Sequence, residues 1–271
     1  MPLSTSGNAS FLINQTKSIT LWSGGDMENE QTKLKYIVRD LELDSWGEVG
    51  IAMDLPEGIG AFSNQYGASA DILCKRVSDT KIFVAVRPMA GYTQKPIYYS
   101  FGTLNGTSVT FTPYKVLQNS ESSAGADYRS LSALVVPDEI EPVVFFGYCD
   151  GPGFFIIKIT ESGDDSVVDL VSSSAYPYYT RLIKKNNLVI ASYAKSYQSS
   201  QTFSGIKPAV RAYNYNPVGK TLAPVNGGSY EVNVPILSSN LPTTNLDIFF
   251  TGEGYNFMIV GPDFSQNAVP V

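Results

Sequence analysis

The chain contains no histidine. That removes the commonest general base, the Ser–His and Cys–His nucleophile pairs, and the commonest metal ligand. Cysteine is almost as scarce, with Cys74 and Cys149 alone. Two soft ligands without histidine do not make a zinc site, and two cysteines in a chain of this length do not make a disulfide scaffold. The expectation is a pair of buried thiols in or beside strands; bridging them would need Cα atoms within about 7 Å. Charge is thin as well: 16 % of residues are Asp, Glu, Lys or Arg, where about a quarter is usual. The net charge is −6 and the densest basic stretch is only Arg181–Lys185. A phosphate-binding surface needs a basic stripe, so nucleic acid is not expected as a partner. The carboxylate excess argues against an anionic membrane surface. No run of 18 apolar residues exists, so no membrane-spanning helix and no membrane insertion are expected. No metal or other cofactor is expected.

What is present is aromatic and hydroxyl-rich. Aromatics make up 12 % of the chain, with 17 tyrosines, and Ser, Thr, Asn and Gly fill the spaces between them. Five apolar stretches of one type recur: Glu48–Met53, Ile82–Val86, Val143–Tyr148, Leu188–Tyr193 and Asn256–Gly261. Each is a short run of Val, Ile, Phe or Ala that follows a polar stretch. Continuous apolar runs bounded by turn residues read as buried strands. Their repetition along the chain reads as a modular β-architecture.

The middle is the clearest part. Ala70–Val77, Lys81–Arg87, Pro96–Gly102 and Ser108–Leu117 read as four antiparallel strands, with a hairpin turn at Asn105-Gly106. Ser132–Val136, Pro142–Cys149, Phe154–Thr160 and Ser166–Ser172 repeat the pattern. Tyr179–Lys184, Asn187–Ala194 and Ala209–Asn214 begin a third group, its last strand near Thr221–Val225 or Tyr230–Val234. At the ends, Ser10–Asn14 and Ser18–Trp22 offer two strands, and Leu246–Thr251 with Tyr255–Val260 two more. Joined, these four would complete a blade and remove the open sheet edge. Lys33–Asn64 would then form the first full blade. Asp26–Leu41 also carries Leu34, Ile37, Val38 and Leu41 at helical spacing, with Asp26 as an available N-cap.

The pattern resembles that of β-propeller proteins, over most of the chain and at the level of blades alone. The expected fold is a single all-β domain over residues 1–271: a β-propeller of five four-stranded blades, closed by N- and C-terminal strands. A β-sandwich or jelly roll is the alternative. More specific family marks are missing. Ser78-Asp79-Thr80-Lys81 and Asp44-Ser45-Trp46-Gly47 do not match the Ser-x-Asp-x-Gly-x-Thr-Trp turns of sialidases, and neither Trp22 nor Trp46 precedes an Asp, as WD repeats require.

Five-bladed propellers include glycoside hydrolases that use two or three carboxylates. The carboxylates nearest strand ends are Asp71, Asp150, Asp247 and Glu253. Asp150 and Glu253 are explained by turn chemistry alone, whereas Asp71 is unusual because Asp is depleted in strands. The acidic stretch Glu161-Ser162-Gly163-Asp164-Asp165 offers hard oxygen ligands but not a spaced calcium-loop pattern. Exposed aromatics stack on sugars, and tyrosine adds a hydroxyl for hydrogen bonding. Tyr92, Tyr98, Tyr99, Tyr193, Tyr213 and Tyr215 are available for this or for packing. The preferred ligand-binding residues are Tyr176, Tyr178, Tyr179, Tyr197 and Phe203, in two loops.

The expected function is non-catalytic binding or assembly: a virion component such as a bacteriophage spike, fibre or tail protein. Its partners would be a host glycan or neighbouring virion proteins, and a homo-oligomer is compatible. Met1–Gly7 lacks a basic segment and an apolar core, so no signal peptide is read and the expected location is the virion or the extracellular space. The alternatives are a propeller-type glycoside hydrolase using paired carboxylates, and an extracellular lectin.

Overall fold

The computed structural model describes residues 8–23, 33–55, 71–87, 89–90, 93–94, 96–117, 131–137, 141–150, 153–163, 166–172, 177–199, 202–231, 247–250 and 257–260. The side chains at 8, 23, 89–90, 93–94, 149–150, 171–172, 177–179, 194–199, 202–208, 230–231, 247–250 and 257–260 lie outside that description.

The first sheet holds β1 (Asn8–Leu12), β2 (Lys17–Ser23), β3 (Lys33–Asp40), β4 (Ser45–Trp46) and β5 (Gly50–Asp54). Strand β3 pairs with β2 and with both β4 and β5. Along β3, burial alternates strictly: Leu34, Tyr36, Val38 and Asp40 are buried, whereas Lys33, Lys35, Ile37 and Arg39 are half-buried. This resolves the helix alternative. Period two places Leu34, Tyr36 and Val38 on one face, and aromatic and β-branched side chains suit a pleated surface. Leu41, which the helical spacing needed, is 40 % exposed.

The second sheet follows with β6 (Asp71–Arg76) and β7 (Lys81–Arg87). After a two-stranded ribbon of β8 (Met89–Ala90) and β9 (Thr93–Gln94) come β10 (Tyr98–Asn105), β11 (Ser108–Phe111) and β12 (Lys115–Val116). Its order is β11-β10-β7-β6, with β12 also on β10. Every residue of β7 from Ile82 to Arg87 is buried, so both faces of this strand are covered. The turn after β10 is Gly106-Thr107, closed by the Asn105–Ser108 pair. Only Gly106 has a positive φ there, +63°, which suits glycine at the first turn position. Asn105 is the last paired residue and not a turn residue.

The first and second sheets share one core, in which Ile19, Leu21, Leu34, Val38 and Met53 meet Cys74, Ile82, Val84 and Val86. Tyr36 stitches them together. Its hydroxyl donates to Val109 O (2.8 Å) and accepts from Val109 N (3.0 Å), satisfying both backbone polar groups of that residue in a buried setting. Gly50 makes room for that ring: a Cβ there would lie 2.4 Å from Tyr36 Cε1.

The third sheet is β13 (Leu131–Val136), β14 (Val143–Asp150), β15 (Gly153–Thr160) and β16 (Ser166–Ser172). The fourth is β17 (Pro177–Lys185), β18 (Leu188–Ser199), β19 (Thr202–Asn216) and β20 (Thr221–Glu231). Both run in chain order. Strands β21 (Asp247–Phe250) and β22 (Phe257–Val260) pair with each other. All five apolar runs contain or overlap strands, and successive antiparallel sheets of consecutive strands are the blade pattern of a β-propeller. The all-β propeller class read from the sequence holds.

Two details differ from expectation. Among the described residues, the N-terminal strands do not share a sheet with the C-terminal pair: β1 and β2 continue into β3. Pairing with the next strand closes a short loop, which costs less entropy than joining the two ends of the chain. The expected loop at Ser196–Gly205 is instead the end of a long hairpin, with β18 and β19 paired as far as Ser199 and Thr202.

The chain divides into two compact units. One comprises Met1–Asp127, Val135–Val143 and Thr160–Asp165; the other comprises Tyr128–Leu134, Val144–Ile159 and Ser166–Val271. In the second unit, rings fill the core: Phe154 stacks on Tyr193 and Tyr148 on Phe155, both at 5.0 Å, and Phe145 meets Tyr215 edge-on at 6.1 Å.

Candidate functional site

Asp71 opens β6 and Arg87 closes β7, and the two are direct partners in the pair register. Residues opposed in this way point to the same face, with Cβ atoms about 5 Å apart. That face also carries Ala85, Phe83, Tyr99 and Phe101, and the Phe83 ring lies 5.3 Å from Phe101 and 6.0 Å from Tyr99. Arg87 is 2 % exposed and Asp71 half-buried. The register thus sets an acid and a buried guanidinium at opposed positions on one face. Asp71 was singled out in the sequence as an acid in a strand. Arg87 was missed, although an arginine ending the apolar run Ile82–Val86 was a visible signal.

A second arrangement lies in the other unit. Asp169 of β16 accepts a hydrogen bond from the Tyr213 hydroxyl of β19 at 3.0 Å and lies 2.7 Å from Arg211 Nε of the same strand. The Arg211 contact is close but off the N–H axis, so it is a charge pair more than an aligned hydrogen bond. Arg211 also reaches Ser229 Oγ at 3.3 Å. Tyr213 is fully buried. Burial, then the Asp169 charge beside it, pushes its phenol well above the usual tyrosine range. It is a hydrogen-bond donor and not a base.

The described part of the acidic stretch, Glu161–Gly163, is tied to its neighbours. Glu161 pairs with Lys81 at 2.6 Å. Lys115 Nζ donates to Ser162 O at 3.1 Å, and Ser162 N donates to Glu141 Oε1 at 3.1 Å. Gly163 is left-handed (φ +99°), and a Cβ there would collide with Lys115 Nζ. Two lysines therefore already meet this turn. Asp164 and Asp165 lie outside the described residues. Among the described residues, no group of three or more His, Cys, Asp or Glu is placed to hold a metal.

Of the aromatic candidates, Tyr98, Tyr99, Tyr193, Tyr213 and Tyr215 are all buried. They serve packing, as half the side chains of a strand must. Tyr92 and Tyr176 lie outside the described residues. Tyr178 and Tyr179 fall on β17, Tyr197 on β18 and Phe203 on β19, so their backbones are strand and not loop; their side chains lie outside the description. The same holds for Asp150 and Asp247, while Glu253 lies outside the described residues altogether. Cys74 is buried and free, and desolvation pushes its thiol up to about 12. The Cys149 side chain is not described.

No protein-family model matches the chain. No curated protein matches it either. Solved structures do. A thermostable family-43 glycoside hydrolase is 12 % identical, at a TM-score of 0.38 over 96 % of this chain and 86 % of its own. A glycosyl hydrolase from Bacteroides ovatus is 9 % identical, at 0.39 over 86 % and 71 %. An exo-1,5-α-L-arabinanase from a bovine ruminal metagenomic library is 12 % identical, at 0.37 over 84 % and 80 %. This finding corrects two expectations. The proteins the chain is similar to are enzymes acting on carbohydrate, and none of those named is a virion component. The readings as a bacteriophage structural protein and as a non-enzyme are withdrawn. They rested on surface composition and on missing motifs, which many folds and functions share.

Proposed function

We propose that this chain acts on glycosidic bonds, with Asp71 as one carboxylate of the pair that such chemistry uses. At TM-scores below 0.4 the resemblance to hydrolases assigns neither reaction nor site. The observation that supports the reading is the placement of Asp71: a half-buried acid at a strand start, directly across from a fully buried arginine. A fixed cation favours the ionised form of a neighbouring carboxylate. Asp71 then suits the base or nucleophile role, and a second carboxyl group supplies the proton to the leaving oxygen. Asp150, Asp247 and Glu253 are the sequence candidates for that acid.

The test is release of sugar from chromogenic arabinosides, xylosides and galactosides by the wild type and by Asp71→Asn. Turnover in the wild type, reduced about a hundredfold or more in the variant, supports the reading. No release from any substrate overturns it. Release that survives Asp71→Asn removes Asp71 and moves the chemistry to other carboxylates.

A further inference from the structure

The chain has two tryptophans, and the strand register places both on one face of the first sheet. Trp22 of β2 is opposite Lys35 of β3, and Trp46 of β4 is opposite Arg39 of β3. Lys35, Ile37 and Arg39 share the face that alternates with buried Leu34, Tyr36 and Val38. This is therefore the side of the sheet facing away from the core shared with the second sheet. Strands β2 and β4 flank β3, and the two positions on β3 are four residues apart. Their backbone positions are about 13 Å apart along the strand and about 10 Å across it, roughly 16 Å in all. Ser18 and Thr20 of β2 and Ser10 of β1 add hydroxyls to the same face, and Ser10 Oγ lies 2.9 Å from Thr20 Oγ1.

Among the described residues this face is most open around β4, β5 and the end of β1, and Trp22 is half-buried. Trp46 is 56 % exposed, Ile51 50 % and Leu12 66 %. Its charges are matched locally. Arg39 lies over the Trp46 ring, 5.2 Å from its centroid, and its Nη2 lies 2.5 Å from Asp44 Oδ1. Lys33 is the register partner of Asp54. Balanced charge fits neither a polyanion nor a cation. Polar side chains divide the apolar ones, which does not suit a protein partner's apolar core. Two indoles separated by hydroxyls and paired charges suit a ligand with alternating C–H faces and hydroxyl edges.

We propose that this face is a platform for a neutral oligosaccharide, with sugar rings stacked on Trp46 and Trp22. The Arg39–Asp44 pair and the β1–β2 hydroxyls hydrogen-bond the sugar edges. The platform is separate from Asp71, which lies on the second sheet, on the face turned away from the first. The inference does not depend on hydrolysis at Asp71.

Tryptophan fluorescence, excited selectively over the 17 tyrosines, reports on this face, because it holds both tryptophans. Emission of the full chain is followed during titration with neutral hexasaccharides of xylose, arabinose, galactose and glucose, with oligogalacturonate as the charged control. The expected result is a saturable change with at least one neutral sugar. Trp46→Ala should weaken binding at least tenfold and Trp46→Phe should retain most of it, while circular dichroism stays unchanged. Asp71→Asn, in which any hydrolysis through Asp71 is removed and the hexasaccharide stays intact, should still show the saturable change. No response to any neutral hexasaccharide overturns the proposal, as does wild-type affinity in Trp46→Ala or a preference for oligogalacturonate. A dimer that Trp46→Ala converts to monomer, without sugar binding, would show a second copy on this face and also overturn it.

Discussion

Each compact unit sets a carboxylate and an arginine at neighbouring positions, and the two arrangements are built differently. Asp71 and Arg87 face each other across adjacent strands of one sheet, and Arg87 is 2 % exposed. Asp169 and Arg211 come from different sheets, and the Arg211 side chain is 26 % exposed. The two guanidinium groups therefore differ in depth, whereas both carboxylates are partly buried. Taking a guanidinium out of water costs more the deeper it lies. Arg87 is thus held by its buried surroundings, and Arg211 ties two sheets from a partly open position.

The sharpest way to break this contrast is to remove each cation in turn. Arg87→Met should change the urea midpoint more than Arg211→Met, which should cost about 1 kcal/mol. Equal losses would mean that burial does not separate the two couples. The hydroxyl ties come next. Tyr36→Phe leaves the backbone polar groups of Val109 without that partner and should cost about 1–3 kcal/mol. Tyr213→Phe removes a donor to Asp169, which keeps Arg211 nearby, and should cost about 1 kcal/mol. A larger loss at Tyr213 would make the second unit's tie the more demanding one.

Two smaller effects depend on pH. Asp40 donates stability in its charged form: its bond from Lys17, then those from the Leu43 and Glu42 amides, holds its carboxyl below the ordinary value of 3.8. That contribution is complete above pH 3.8 and disappears as pH falls through the lower folded value. Asp40→Asn should therefore flatten the acid limb of stability against pH. Cys74 works in the opposite direction. Its thiol stays protonated to about 12 in the fold against 9.0 when free, so stability falls as pH rises above 9. At pH 8 it should not react with a thiol reagent until the chain unfolds; prompt labelling of the Cys149→Ser variant would show that Cys74 is accessible.

The blades were legible because a strand buried on both faces must be apolar throughout. Ile82–Val86 and Val143–Tyr148 announce themselves without any partner. The ambiguity at Lys33–Asp40 was real, because Leu34 and Val38 satisfy both periods; the second sheet decided it by offering Leu34, Tyr36 and Val38 a common face. Asp71 stood out as an acid in a strand, but its arginine did not, since the register between β6 and β7 is not written in either segment. The tyrosines that serve packing were hidden for a related reason. Sequence says that a tyrosine is amphipathic, and only packing says which of Tyr98, Tyr193 and Tyr213 is inside.

By itself, the sequence determined that histidine-based catalysis is excluded, that the chain is all-β, and that its strands come in sequential groups. These follow from composition and from short-range periodicity, which act locally. The tertiary structure decided which strands pair, which charges are buried opposite one another, and that the two tryptophans share a face. Those outcomes depend on register and on contacts between distant segments, where a slip of one residue turns every side chain to the other side.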